Sequence, residues 1–166
     1  MGIKGCAEIA QQCEGYDEVW ISIGSGCTFT GLAQHLINDF LNVGTTNTNP
    51  SKTVKKASVK LKGVMAIKGG EALANSLLSD LGDQCSIKCD SHLGGFGKCP
   101  EELIALIKRY DAQSLPLDPV YTAKLIMAFE NEWLSGQLDH TKRYLLIHSG
   151  GLQGRRGVEA LSENLP

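Results

Sequence analysis

Apolar residues along the chain switch between two spacings. Residues 3–13 place Ile3, Cys6, Ile9, Ala10 and Cys13 three to four apart, which predicts a helix, whereas 18–23 form a nearly unbroken apolar run, which predicts a buried strand. Gly24-Ser25-Gly26 then supplies residues that tolerate unusual dihedrals, and from Thr28 the helical spacing returns with Leu32, Leu36, Ile37 and Phe40, predicting a helix over 28–41. The stretch 44–56, rich in Thr, Asn, Pro and Lys, predicts a polar surface loop.

The same alternation continues to the end of the chain. A strand is predicted over 61–67, a helix over 71–81 with Leu73, Leu77, Leu78 and Leu81 inward, and a strand over 85–89. Residues 90–97 are too rich in glycine for regular structure. A helix over 100–110 follows, with Pro100 in its first turn, and Asp118-Pro119 opens another through about 134, an Asp N-cap with Pro at the first position. The last strand, 143–148, stops at Ser149-Gly150-Gly151. Strands that alternate with helices and lack a clean two-residue period predict an α/β fold, a mostly parallel open sheet with helices on both faces in three layers.

In such sheets ligands bind beyond the carboxyl ends of the strands. Residues 25–28, 92–97 and 149–151 fall there, joined by Tyr121 and Thr122 in the first turn of the predicted 118–134 helix. At the first of these, the backbone N–H groups of Gly26, Cys27 and Thr28 and the positive end of a helix dipole suit a phosphate, and Ser25, Thr28 and Thr30 add hydroxyl donors. The same glycines also suit a plain strand-to-helix turn. Neither a Walker loop nor a Gly-x-Gly-x-x-Gly fingerprint is present.

With 166 residues, 42% of them hydrophobic and 20% charged, the chain is expected to form one α/β domain over 1–166. A net charge of −2 gives no basic surface for nucleic acid, and no apolar run approaches the roughly 20 residues that span a bilayer. The N-terminus lacks a secretory pattern, and Cys6 stands where myristoylation needs Ser or Thr, so a cytoplasmic location is expected. The six cysteines form no Cys-x-x-Cys pair and are expected to be reduced. Cys85, Cys89 and His92 are the one zinc-like grouping, but alternation places Cys85, Ile87 and Cys89 on one face of a strand as core thiols, so no metal site is expected.

Three segments carry a more specific signal: Ser25-Gly26-Cys27-Thr28-Phe29-Thr30-Gly31-Leu32, Leu117-Asp118-Pro119-Val120-Tyr121-Thr122-Ala123-Lys124 and Ile147-His148-Ser149-Gly150-Gly151-Leu152-Gln153-Gly154. In this order they resemble the 1-aminocyclopropane-1-carboxylate (ACC) deaminase and D-cysteine desulfhydrase family, pyridoxal-phosphate enzymes of the tryptophan-synthase-β type. The resemblance covers nearly the whole chain and implies the large-domain part of a fold-type II enzyme. It implies that Ser25, Gly26, Cys27 and Thr28 hold the cofactor phosphate, that Tyr121 lies beside cofactor or substrate as the candidate catalytic residue, and that Thr122 and Ser149 approach the pyridine nitrogen. A neutral hydroxyl there does not force ring protonation. Tyr121 also suits a half-buried helix position, and Thr122 and Ser149 suit helix and turn positions.

Two departures qualify what the resemblance implies. Phe96 stands where relatives carry a tyrosine near the substrate, so a hydroxyl is missing; His92, four residues earlier, is a titrating group nearby or a plain surface histidine. The family's Schiff-base lysine lies in a Ser-Asn-Lys context, which none of the twelve lysines here has. The chain therefore resembles the C-terminal portion of a relative, an N-terminally truncated unit expected to be inactive or nearly so alone, with a homodimer or a missing N-terminal half as partner. The implied activity of the complete enzyme is conversion of a small amino acid to a 2-oxo acid and ammonia. The alternative is a non-catalytic module for pyridoxal phosphate or another small phosphate.

Overall fold

The computed structural model describes residues 5–42, 59–79 and 81–162, and residues 38–42 by their backbone alone. The predicted loop over 44–56 and the inward side chain of Phe40 lie outside what is described. Four strands, β1 (Glu18–Ile23), β2 (Lys60–Met65), β3 (Cys85–Lys88) and β4 (Tyr144–Leu146), form one parallel sheet in the order β3-β2-β1-β4. Glu18 pairs with both Lys60 and Tyr144, so β1 is flanked on either side.

Helices cover both faces. Val19, Ile21, Ile23, Leu61, Met65 and Cys85 face one way, against α1 (Cys6–Gln12), α2 (Cys27–Asn42) and α3 (Glu71–Leu78). Trp20 and Val64 face the other way, against Leu125 and Ala128 of α5 (Thr122–Leu134). Beyond α5, α4 (Glu101–Asp111) and α6 (Glu159–Ser162) close a further cluster through Leu103, Ile107, Ala123 and Leu161. The α/β class and the parallel sheet expected from the apolar pattern are those observed. The strands read as apolar runs because a central parallel strand buries both of its faces.

Glycine within β2 has a packing reason. A Cβ on Gly63 would sit 2.3 Å from Cδ1 of Ile23, so the Ile23 side chain crosses the strand at the one residue without a side chain of its own. On the opposite face Trp20 is fully buried and edge-on to Phe129 at 5.2 Å, and the Lys62 ammonium lies 4.3 Å from the Trp20 ring.

Several boundaries differ from expectation. The helix expected from Asp118 begins at Thr122, because the Asp118 carboxylate accepts the N–H groups of Val120, Tyr121 and Thr122 in a turn that precedes it. The last strand ends at Leu146 instead of 148, since the His148 ring turns to the Pro116 carbonyl. The helix expected over 71–81 ends at Leu78, and 3-10 turns over Gly82–Gln84 and Leu152–Gly157 were not expected.

Candidate functional site

All four strands run parallel, so their carboxyl ends share one edge of the sheet. There Gly26, at φ +86°, turns the chain from β1 into α2, and its carbonyl accepts the Thr30 N–H at 2.9 Å. The N–H groups of Cys27, Thr28 and Phe29 therefore stand in the first helical turn without an intrahelical acceptor. Ser25, Cys27 and Thr28 are exposed, and the Ser25 hydroxyl lies 3.4 Å from the Cys27 sulfur. A Cβ on Gly26 would fall 2.7 Å from Cδ1 of Leu77, so both the dihedral and the space require glycine.

Tyr121 reaches this turn from the opposite face of the sheet. Its hydroxyl and ring edge lie 3.1 Å from where a Gly24 Cβ would be, so the absence of a side chain at Gly24 admits the phenol over the end of β1. Three bonds to Asp118 set its backbone, from Val120 N–H to Oδ1 (3.0 Å) and from Tyr121 and Thr122 N–H to Oδ2 (2.7 and 3.1 Å). Asp118 is in turn backed by Gly154, where a Cβ would lie 2.8 Å from Oδ1. The second and third signature segments are thus one packed unit.

Phe96 meets Tyr121 at 6.2 Å between ring centroids and 69° between planes, and 65% of its surface is exposed. Contact thus brings together Gly24, Tyr121 and Phe96, with Ser25 to Thr28 continuing from Gly24. Ser149 is exposed beyond β4, on the same edge. Its loop is set by His148, whose Nε2–H donates to the Pro116 carbonyl (2.9 Å) while Nδ1 accepts the Gly150 N–H (3.1 Å). His92 repeats the second contact, accepting the Gly94 N–H at Nδ1 (3.0 Å). Thr122 is buried, and its hydroxyl is engaged with the Asp118 backbone, accepting from N–H at 2.9 Å and donating to the carbonyl at 3.4 Å.

Two buried charges at this edge have no counterpart among the sequence-derived candidates. Lys124 is 1% exposed, and its Nζ donates to the carbonyls of Ala66 (3.3 Å) and Gly95 (2.7 Å); burial lowers its proton affinity from the usual lysine value. Arg155 is 2% exposed, with Nε donating to the Leu117 carbonyl at 2.8 Å. Lys124 falls within an otherwise apolar helical stretch and Arg155 stands beside a second arginine, so neither letter marks its burial. A cavity of about 370 Å³ opens on the far side of Lys124, between Lys88, Asp90, Ser91, Asn131 and Glu132. It lies beside the carboxyl end of β3 and is lined by Lys124, but by none of Ser25, Tyr121 or Ser149.

Among the described residues, no group of three or more His, Cys, Asp or Glu side chains is placed to hold a metal ion, and no helix is long and apolar enough to cross a membrane. Cys13 and Cys85 are buried thiols whose pKa rises to about 11. The donor set at the turn fits the phosphate of pyridoxal phosphate: the first-turn backbone N–H groups of exposed Cys27 and Thr28 and the hydroxyls of Ser25 and Thr28.

No protein-family model matches the chain. D-cysteine desulfhydrases do: that of Klebsiella pneumoniae (strain 342) is 29% identical over 153 residues, and that of Salmonella newport (strain SL254) is 29% identical over 156 residues. Each alignment takes in 90% of this chain and 45% of the relative, so the chain spans about half the length of the curated relatives it matches. A crystal structure described as an ACC deaminase homologue superimposes with a TM-score of 0.67 at 23% identity, over 97% of this chain and 48% of that one, which shows the fold. The chain is thus similar, along nearly all of its own length, to the C-terminal portion of D-cysteine desulfhydrases, and it has the fold of the matching part of an ACC deaminase homologue.

Proposed function

We propose that this chain is a single α/β domain forming the cofactor-binding part of a pyridoxal-phosphate lyase or deaminase that acts on a small amino acid, of the D-cysteine desulfhydrase or ACC deaminase type. One observation carries the reading: an exposed first helical turn with hydroxyls at Ser25 and Thr28 adjoins, through Gly24, the phenol of Tyr121. A phosphate bound at Ser25 to Thr28 would leave the rest of its ligand within reach of Tyr121 and Phe96. The cytoplasm, with reduced thiols, is the compartment that goes with this reading.

Bound there, pyridoxal phosphate would supply an electron-withdrawing ring that stabilises negative charge on a substrate carbon. The protein's own contribution is positional. The N–H groups of Cys27 and Thr28, with the α2 dipole, hold the dianion; Phe96 presents an apolar wall that limits water; the Tyr121 Oη holds or moves a proton. Ser149 is the better placed of the two hydroxyls for the ring nitrogen, because the Thr122 hydroxyl is already engaged with Asp118. Lys124 has its amine committed to two carbonyls, and none of the twelve lysines stands in a Ser-Asn-Lys context, so in this reading attachment of the cofactor falls to a lysine on another segment, either elsewhere in a longer polypeptide or on a partner chain.

That engagement of Lys124 favours one second reading, a module that binds pyridoxal phosphate or another small phosphate without turnover. Two measurements on the purified chain separate the possibilities. Titration with pyridoxal phosphate should saturate, and inorganic phosphate should compete; no saturable binding would overturn both readings. Borohydride reduction followed by peptide mapping should give scattered or negligible lysine labelling. One lysine labelled stoichiometrically would mean that the chain attaches the cofactor itself. Restored turnover of D-cysteine or ACC on adding a lysine-bearing segment separates the enzyme part from the silent module.

A further inference from the structure

Residues 91–98, the loop that carries Phe96, are poorly suited to hold their own shape. Four of the five residues 93–97 have positive φ: Leu93 (53°), Gly94 (90°), Gly95 (119°) and Gly97 (73°). For Leu93 this is the left-handed region, which a residue with a side chain adopts only under constraint. The bonds within the loop are local: Gly94 N–H to His92 Nδ1 (3.0 Å), Gly95 N–H to the His92 carbonyl (3.0 Å) and Lys98 N–H to the Gly95 carbonyl (3.2 Å). None of these reaches the sheet or α5.

Lys124 does. Its buried amine joins the Gly95 carbonyl to the Ala66 carbonyl just past β2, and Lys124, in the first turn of α5, lies three residues after Tyr121, the residue that precedes the helix. The entry into α5 therefore carries both the ring that meets Phe96 and the ammonium that holds the residue beside Phe96. An ammonium buried this way is costly unless it is fully engaged, and a methionine would fill the same space without that cost. What the charged group adds is a strong donor to two segments that have no other bond to each other.

We propose that Lys124 is a positioning residue that ties the glycine-rich loop to the sheet edge and so holds Phe96 against Tyr121 at the mouth of the site. The identity of what the site binds rests on the function proposed above; the tie between loop and sheet does not. Loss of the ammonium proton weakens the tie, and burial lowers the pH at which that occurs relative to an ordinary lysine. The charged and titratable groups around this amine are Cys99 and Asp118, Lys68 beside Gly95, and Lys88, Asp90 and Glu132 across the cavity.

The test is amide hydrogen exchange of the whole chain read by peptide mass, for wild type, Lys124→Met and Cys99→Ala. In Lys124→Met, peptides covering Gly95 to Lys98 should exchange about tenfold faster while β1 stays protected, as expected for local opening within a folded domain. In wild type and in Cys99→Ala, loop protection corrected for intrinsic rate should fall as rising pH takes the proton from the amine; Lys124→Met should lack that step. Unchanged loop exchange in Lys124→Met with β1 protected would overturn the proposal. Should that variant fail to fold, loop protection in Cys99→Ala that stays flat through the alkaline range would overturn it equally. Titration with pyridoxal phosphate is read separately: a chain that binds none overturns the functional reading and leaves the loop result standing.

Discussion

The guanidinium of Arg155 grips the carboxylate of Asp111 with both terminal nitrogens, Nη1 to Oδ2 at 3.0 Å and Nη2 to Oδ1 at 2.5 Å, while its Nε holds the Leu117 carbonyl. This one side chain fixes the end of α4, the residue before Asp118 and the turn over Leu152–Gly157 to one another. Arg155→Met would leave a carboxylate and a carbonyl without their donor. It should lower unfolding free energy by about 3 kcal/mol, read from the urea midpoint. Arg155→Lys should recover little of that, since a point charge cannot reproduce the planar two-pronged contact.

Asp118 works by the same logic on a smaller scale. Asp118→Ala removes the acceptor for three backbone N–H groups in a buried turn and should cost about 3 kcal/mol, again by urea unfolding. Asp118→Asn keeps one acceptor oxygen and should fall between the two. Because Tyr121 is the middle residue of that turn, Asp118→Ala should also weaken pyridoxal-phosphate binding by more than it weakens binding of inorganic phosphate.

Gly26→Ala places a side chain at φ +86° and 2.7 Å from Leu77. The dihedral alone should cost about 1 to 2 kcal/mol, and the turn cannot keep its shape with the added methyl in place. Phosphate competition for bound pyridoxal phosphate should be lost in Gly26→Ala. Retained competition at wild-type concentration would place the phosphate elsewhere.

Thiol ionisation gives the protein an alkaline limit. Cys13 and Cys85 rise from 9.0 to about 11 on burial. Between those values the unfolded chain has released protons that the folded chain still holds, so stability is intact below pH 9.0 and falls as pH climbs toward 11. The slope should approach about 1.4 kcal/mol per pH unit for each thiol. Thermal melts over that range should fall steeply with pH for wild type and much less for a Cys13→Ala, Cys85→Ala double variant. At neutral pH exposed Cys27 should react with a thiol reagent before buried Cys6, Cys13 or Cys85.

What could be read in advance follows from how each feature is encoded. The run over 18–23 and the Gly-Ser-Gly that ends it are local, and β1 and the start of α2 lie where they were expected. The start of α5 was read three residues early because Asp118 and Pro119 both signal a helix start, while the geometry that delays it depends on one carboxylate capping a preceding turn. Lys124 and Arg155 were silent for a different reason. Their partners include backbone carbonyls, which every residue carries, so nothing in the amino-acid letters marks Ala66, Gly95 or Leu117 as the acceptors. The approach of Tyr121 to Gly24 crosses from one face of the sheet to its edge, and periodicity along a single element carries no such information.

The position of β4 beside β1 has a consequence for how the chain is made. The Arg143 N–H bonds the Asp17 carboxylate across 126 residues, and Tyr144 then pairs with Glu18, so the outer edge of the first strand is completed by a segment that leaves the ribosome long after the strand itself. Until then the backbone donors and acceptors along Glu18 to Trp20 are open to any extended segment that passes. Synthesis that stalls before residue 144 would thus release a polypeptide able to add foreign strands at that edge, and its aggregation in cells should rise sharply for truncations ending before Tyr144 and fall for those ending after Ile147.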